Sequence, residues 1–166
     1  MIKVGDELPD GTLFEYNEFE SAGCAIGPQP IAVKAATVGR TIAIFGLPGA
    51  FTPTCSARHA PGYVAHAAAL HAKGIDEIWC VSVNDAFVMG AWARDLHAQG
   101  KVRMLGDGSG LYTKALGLEL DLIERGMGVR MQRCSLVVNN GRVTHFNLEQ
   151  PGKFEVSDAE TMLQQV

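Results

Sequence analysis

Three short runs constrain this chain more than any other feature. TIAIFG (residues 41–46), IDEIWCVSV (75–83) and KVRMLGD (101–107) are apolar with little alternation. That is the pattern of strands buried on both faces, as in a parallel sheet. Between them lie CSARHAPGYVAHAAALHAKG (55–74) and NDAFVMGAWARDLHAQG (84–100), both with helical spacing. The first is expected to kink at Pro61, because proline lacks the N–H and crowds the preceding turn. The second opens on Asn84 and Asp85, which suit an N-cap, and should stop at Gly100. Next, CSLVV and RVTHFNLE flank Asn140-Gly141, a strong hairpin signal. The end, SDAETMLQQV, places Ser157 as N-cap with Glu160 three residues on, a capping box opening a last helix. The order β-α-β-α-β, hairpin, α gives an α/β fold of thioredoxin-like plan. Its central mixed β-sheet is flanked by helices and preceded by an N-terminal extension. The irregular stretch is ESAGCAIGPQP (20–30), where glycine and proline cluster.

The chain of 166 residues suits one domain, 1–166, with a core of its own. Fourteen basic against eighteen acidic residues give a net charge of −4, spread without blocks. Nucleic-acid binding is not expected, since it calls for a basic face. No apolar run approaches the roughly 18–20 residues that span a bilayer, so no membrane partner is expected. The opening MIKVGDELPD lacks the pattern of a secretory signal, and a cytoplasmic protein is the default expectation.

The four cysteines, at 24, 55, 80 and 134, form no C-x-x-C pair. Neither a zinc ribbon nor a thioredoxin-type dithiol is encoded. Cys55 is placed differently from the others. In FGLPGAFTPTCSARH the best register has Thr52 at the N-cap, Pro53 at N1, where proline is favoured, and Cys55 at N3. A first-turn thiol meets unpaired N–H groups and the positive end of the helix dipole, and both favour thiolate. A packing cysteine gains nothing from that position.

An activated thiolate attacks a carbonyl, a disulfide or a peroxide. Carbonyl chemistry needs a base and an oxyanion hole. His59, four residues after Cys55, could be that base, but His66 and His71 share the stretch and a core or surface histidine is the plainer reading for each. A Cys55/His59/His66 metal site converges poorly and lacks a fourth ligand. Peroxide chemistry needs donors and a cation for the departing oxygen instead of a base, with prolines 48 and 53 walling off solvent.

The segment PGAFTPTC contains P-x-x-x-T-x-x-C as Pro48, Thr52 and Cys55, and here the chain resembles the peroxiredoxins. With VSVNDAFVMGAWAR, DGSGLYTKALGLELD and RCSLVVNNG it is most similar to the peroxiredoxin-5 class, including the plant type II enzymes and their bacterial relatives. The resemblance implies a thiol-dependent peroxidase acting on hydrogen peroxide and alkyl hydroperoxides. It makes Cys55 the peroxidatic cysteine, Thr52 the hydroxyl that contacts thiolate and peroxide, and Pro48 the shield. Arg133 becomes the distant arginine that supports the thiolate; without the resemblance it could not be chosen over Arg130, Arg125 or Arg58, the last read as an exposed helix charge.

The class also implies a homodimer through loops flanking the site, for which residues 48–51 and GLELDLIERGMGV (117–129) are the candidates. Animal members carry a resolving cysteine late in the chain, where this one has Val156. Cys80 matches the second cysteine of the plant enzymes but sits mid-strand, so it is a candidate resolving residue and more plainly a packing residue. Cys134 should pack on the sheet face opposite Arg133. Cys24 has no counterpart and reads as a spectator. The cycle then needs an external thiol, glutathione with glutaredoxin, or thioredoxin, and no metal, haem, flavin or nucleotide. GDGSG (106–110) should be a turn, not a dinucleotide loop. A thiol-based redox sensor or binding module without sustained turnover is the rival.

Overall fold

The computed structural model describes residues 1–17 and 27–166. The expected buried runs form β3 (Thr41–Gly46), β4 (Glu77–Ser82) and β5 (Arg103–Gly106), which pair in parallel, β4 between the other two. The hairpin supplies β8 (Cys134–Asn139) and β9 (Arg142–Leu148). Asn140 and Gly141, at φ 48° and 78°, give the doubly left-handed turn that Asn-Gly favours. β8 adds to β3 antiparallel, Ile44 facing Leu136. On the far edge β1 (Thr12–Glu15) joins β5, and β2 (Gln29–Ala32) joins β1. The result is a mixed seven-stranded sheet, β2-β1-β5-β4-β3-β8-β9.

Helices cover both faces. On one, α2 (Ala60–Ala72), α3 (Ala86–Asp95) and α5 (Ala159–Gln165) bury Tyr63, Trp92 and Met162 with Phe45, Ile78 and Cys80. On the other, α1 (Val33–Thr37) and α4 (Leu111–Leu116) pack with Ile42, Ile44, Trp79 and Val81. Successive residues of β3 and β4 thus enter opposite cores, which is why these strands read as continuous apolar runs. Among the described residues, no helix is long and apolar enough to cross a membrane.

Several expectations need correction. The stretch 20–30 is not irregular throughout: residues 29 and 30 begin β2, while residues 20–26, Cys24 included, lie outside the described residues. GLELDLIERGMGV, expected as a loop, is regular in part. It folds as β6 (Glu119–Leu122), a 3-10 turn and the start of β7 (Gly128–Met131), a two-stranded sheet of its own. A short helix, α4, does follow the GDGSG turn, but the Asp107 carboxylate already accepts its first free amides, from Tyr112 at 3.2 Å and Thr113 at 2.7 Å. The helix α3 ends at Asp95, short of Gly100. The cap of α5 is Asp158, not Ser157: Asp158 Oδ1 accepts from the Thr161 N–H at 2.8 Å. Ser157 is buried and otherwise engaged.

Candidate active site

The site sits where β3 ends and the chain turns into the helix. Gly46 lies under the end of Met131 of β7, where a Cβ would fall 2.5 Å from Cε and push that side chain aside. The loop then holds Phe51 at φ 61°, a left-handed conformation rare for a bulky residue and tolerated when surroundings over-determine it. Two side chains brace that loop. Asn84 Oδ1 accepts from the Ala50 N–H at 2.9 Å, and Arg130 Nη1 donates to the carbonyls of Pro48 and Val83, each at 3.4 Å.

Thr52 opens the helix as the register predicts, its carbonyl accepting from the Ser56 N–H at 3.0 Å. Its hydroxyl turns back and donates to the Gly49 carbonyl at 2.8 Å, leaving its oxygen lone pairs for a donor. Cys55, in the first turn, is fully buried. From Cys55 to His59 the helix widens into one π turn, with the Ala60 N–H bonded to the Cys55 carbonyl five residues back. Pro61, lacking an N–H for the Ala57 carbonyl, follows at once in the first turn of α2. The expected irregularity at Pro61 is therefore taken up just before it.

Arg133, at the start of the β8 arm, reaches across to this turn. Its Nη2 donates to Cys55 Sγ at 3.2 Å, and its Nη1 to His59 Nδ1 at 2.9 Å. His59 is thus no free base. Burial, with the positive charge of Arg133 second, pushes its pKa down to about 3, so the ring is neutral. Since Nδ1 accepts from a guanidinium, Nε2 carries the proton and donates to the Ser157 carbonyl at 3.0 Å. Tyr63 OH donates to that same carbonyl at 2.9 Å while its ring stacks on Phe45 at 4.1 Å. Phe154 closes the site from outside, with Arg133 and Arg58 over its ring at 5.6 and 4.9 Å.

The structure therefore sets Arg133 on Cys55, and Pro48, Thr52 and Arg133 line a cleft of about 920 Å³ beside it. Arg58 is exposed, as expected, though it lies on Phe154. Arg130 serves the loop. Cys80 is fully buried in the core that also holds Cys55, directly across from Phe45 in the sheet. Burial, with the nearby Cys55 second, pushes its thiol well up, so it is a poor nucleophile. Cys134 packs in the opposite core, its thiol pushed up to about 12, chiefly by burial. Sequence reasoning weighed His59 as a base and Arg130 as a rival to Arg133, neither in the role found, and it missed Phe154 altogether.

A thiol held by a guanidinium at a helix start, on a sheet of this topology, defines a thioredoxin-like thiol oxidoreductase. Residues 3–163 match the family model described as Redoxin. Peroxiredoxin-2C of Oryza sativa subsp. japonica is 47% identical over 98% of this chain and 96% of its own length. Reduced Prx3 of Vibrio vulnificus, solved in complex with H2O2, superposes with TM-score 0.91 at 45% identity over 99% of both chains. Peroxiredoxin 5 of Alvinella pompejana gives 0.83 at 29% identity, over 99% of this chain and 97% of that one. The chain belongs to the redoxin family, as a peroxiredoxin: a thiol-dependent peroxidase.

Proposed function

We propose that the protein reduces hydrogen peroxide and alkyl hydroperoxides in a one-cysteine cycle, with Cys55 the one cysteine of the chain that is oxidised and an external thiol the reductant. The observation that carries this reading is the Arg133–Cys55 contact at 3.2 Å, on a cleft that Thr52 and Arg133 both line. The thiolate attacks the terminal peroxide oxygen, an S–O bond forms as the O–O bond breaks, and the departing alkoxide or hydroxide takes a proton from solvent. Cys55 is left as sulfenic acid. Arg133 stabilises the charge on the departing oxygen, while the Thr52 oxygen, its proton held by the Gly49 carbonyl, accepts from the peroxide O–H and orients it. Pro48 limits water at the sulfur.

Recycling by glutathione fits the position of Cys80. A disulfide needs Cα atoms about 4.4–6.8 Å apart and Sγ atoms free to meet. Cys80, mid-strand with its thiol protonated, offers Cys55 sulfenate nothing without local unfolding. Glutathione would condense with the sulfenate, releasing water, and glutaredoxin or thioredoxin would remove it by exchange. Arg58, Arg125 and Lys153 around the cleft suit the carboxylates of that tripeptide. The cycle asks for no metal or organic cofactor and for a reducing compartment, which the cytoplasm provides. A homodimer through residues 48–51 and the β6–β7 arm belongs to the same reading, with Phe51, Ile123 and Val129 as its exposed apolar residues.

Mass spectrometry after peroxide and glutathione tests the cycle. A glutathione adduct on Cys55 is expected, and a Cys55–Cys80 disulfide without adduct overturns the one-cysteine version. Sustained turnover with glutathione and glutaredoxin separates the enzyme from a sensor, which would give one stoichiometric burst. As a control, Thr52→Val should slow the peroxide step on the order of 100-fold while the protein stays folded.

A further inference from the structure

Glu149 follows β9 directly, is only 6% exposed, and takes no part in the chemistry above. One of its oxygens, Oε1, accepts from the N–H groups of Glu155, Val156 and Ser157 at 2.8, 2.7 and 2.8 Å and from Ser157 Oγ at 2.9 Å. Four donors on one oxygen are far more than a loop needs for closure. The backbone of Glu149 faces the site as well: its N–H donates to the Arg133 carbonyl at 3.0 Å.

The consequences run through Ser157. With its amide and hydroxyl both held by Glu149, its carbonyl is fixed toward His59 Nε2 and Tyr63 OH. That acceptor decides which nitrogen of His59 carries the proton. Nδ1 is therefore free to accept from Arg133, whose other nitrogen rests on Cys55. Each link is a direct hydrogen bond, and each donor and acceptor role is forced by the one before.

We propose that Glu149 is a positioning residue of the peroxidase site: it gathers the amides of residues 155–157 so that the Ser157 carbonyl orients His59, and His59 holds the Arg133 guanidinium against Cys55. Against the upward pull of burial, the donors of Val156, Glu155 and Ser157 hold the Glu149 carboxyl below the usual carboxylate range, so the anchor is ionised wherever the enzyme works. The other charges around this chain are Arg133 just before β8, Asp158 before α5, and Glu155, which pairs with Lys153 at 3.5 Å. The proposal rests on Cys55 being the attacking thiolate.

Glu149→Gln and Glu149→Ala test it, each checked for folding by circular dichroism. Two quantities are read: the rate constant for reaction with hydrogen peroxide at neutral pH, and the pH profile of Cys55 alkylation by iodoacetamide, with the modified residue identified by mass spectrometry. The alanine variant should lose about 10-fold in peroxide rate, the scale of one lost bond to a charged group, with its alkylation profile displaced to higher pH. Glutamine keeps an acceptor but not the charge, and should recover part of the loss. Should alanine fail to fold, the glutamine variant alone carries the comparison. Folded variants whose alkylation profile and peroxide rate superimpose on the wild type overturn the proposal, even with a lowered melting temperature, because a purely structural anchor would do only that. A wild-type Cys55 inert to peroxide would instead overturn the peroxidase reading.

Discussion

His59 is the residue at which local reasoning and tertiary structure part. Four places after a reactive cysteine, a histidine invites the role of base; here its partners, Arg133 and Ser157, lie 74 and 98 positions away and convert it into a neutral acceptor. That state is visible in stability. An unfolded histidine takes up its proton near pH 6.5 whereas the buried one resists until about 3, so the unfolded chain binds the extra proton throughout that interval. Its contribution is complete above pH 6.5 and is lost as pH falls toward 3, with a slope of about 1.4 kcal/mol per pH unit. Denaturant unfolding between pH 6.5 and 5, above the range where Glu149 and Asp158 add to the loss, should show this slope, and His59→Asn should flatten it. A wild type with no slope there would mean that His59 is charged in the fold, and the hydrogen-bond roles drawn around it would be wrong.

The elements that carry the site were legible to different depths. β3, β4 and the Asn-Gly hairpin were readable because burial on both faces and a special turn leave local marks in composition. β6, β7 and α4 left none: β6 alternates exposed with half-buried residues over four positions, too short to tell from a loop. Ser157 and Asp158 compete for one cap in neighbouring positions, and Ser157 is withdrawn by Glu149, a contact no local pattern records. Cys55, Thr52 and Pro48 were readable from spacing, whereas Arg133 needed family resemblance because an arginine before a strand looks like any other. The π turn was legible only as Pro61. Its placement matters, because the π turn carries both residues that Arg133 contacts, Cys55 and His59. Pro61→Ala supplies an N–H for the Ala57 carbonyl and should let the turn tighten toward α-helix. Stability should change by no more than about 1 kcal/mol, while the peroxide rate falls several-fold as Cys55 and His59 shift against the Arg133 guanidinium. An unaltered rate in stopped-flow measurements would show that proline and π turn are not coupled.

At the scale of the molecule, the sheet closes two cores and leaves several large apolar side chains uncovered, three of them on the active-site loop and the β6–β7 arm. Phe87 on α3 and Leu111 on α4 are exposed, and beside the site Phe51 is 54% and Ile123 61% exposed, with Val129 at 40%. Phe51 belongs to the active-site loop, where it is held in a left-handed conformation against Trp92 at a centroid distance of 6.3 Å. Ile123 and Val129 belong to the β6–β7 arm, whose Met131 packs on Gly46 just before that loop. Loop and arm are thus mechanically joined, and a partner covering one would steady the other. A large apolar residue left in water forgoes on the order of 1.5–3 kcal/mol relative to burial, so covering this group is favourable. Ile123→Glu places a charge in the arm without touching Cys55, Thr52 or Arg133. Sedimentation should show the wild type as a dimer and the variant as a monomer with an intact far-ultraviolet spectrum. Peroxide reactivity should fall modestly, since the loop loses its cover while keeping its hydrogen bonds to Asn84 and Arg130. A wild type that sediments as a monomer, or a variant that remains a dimer, would place the contact between subunits on another face.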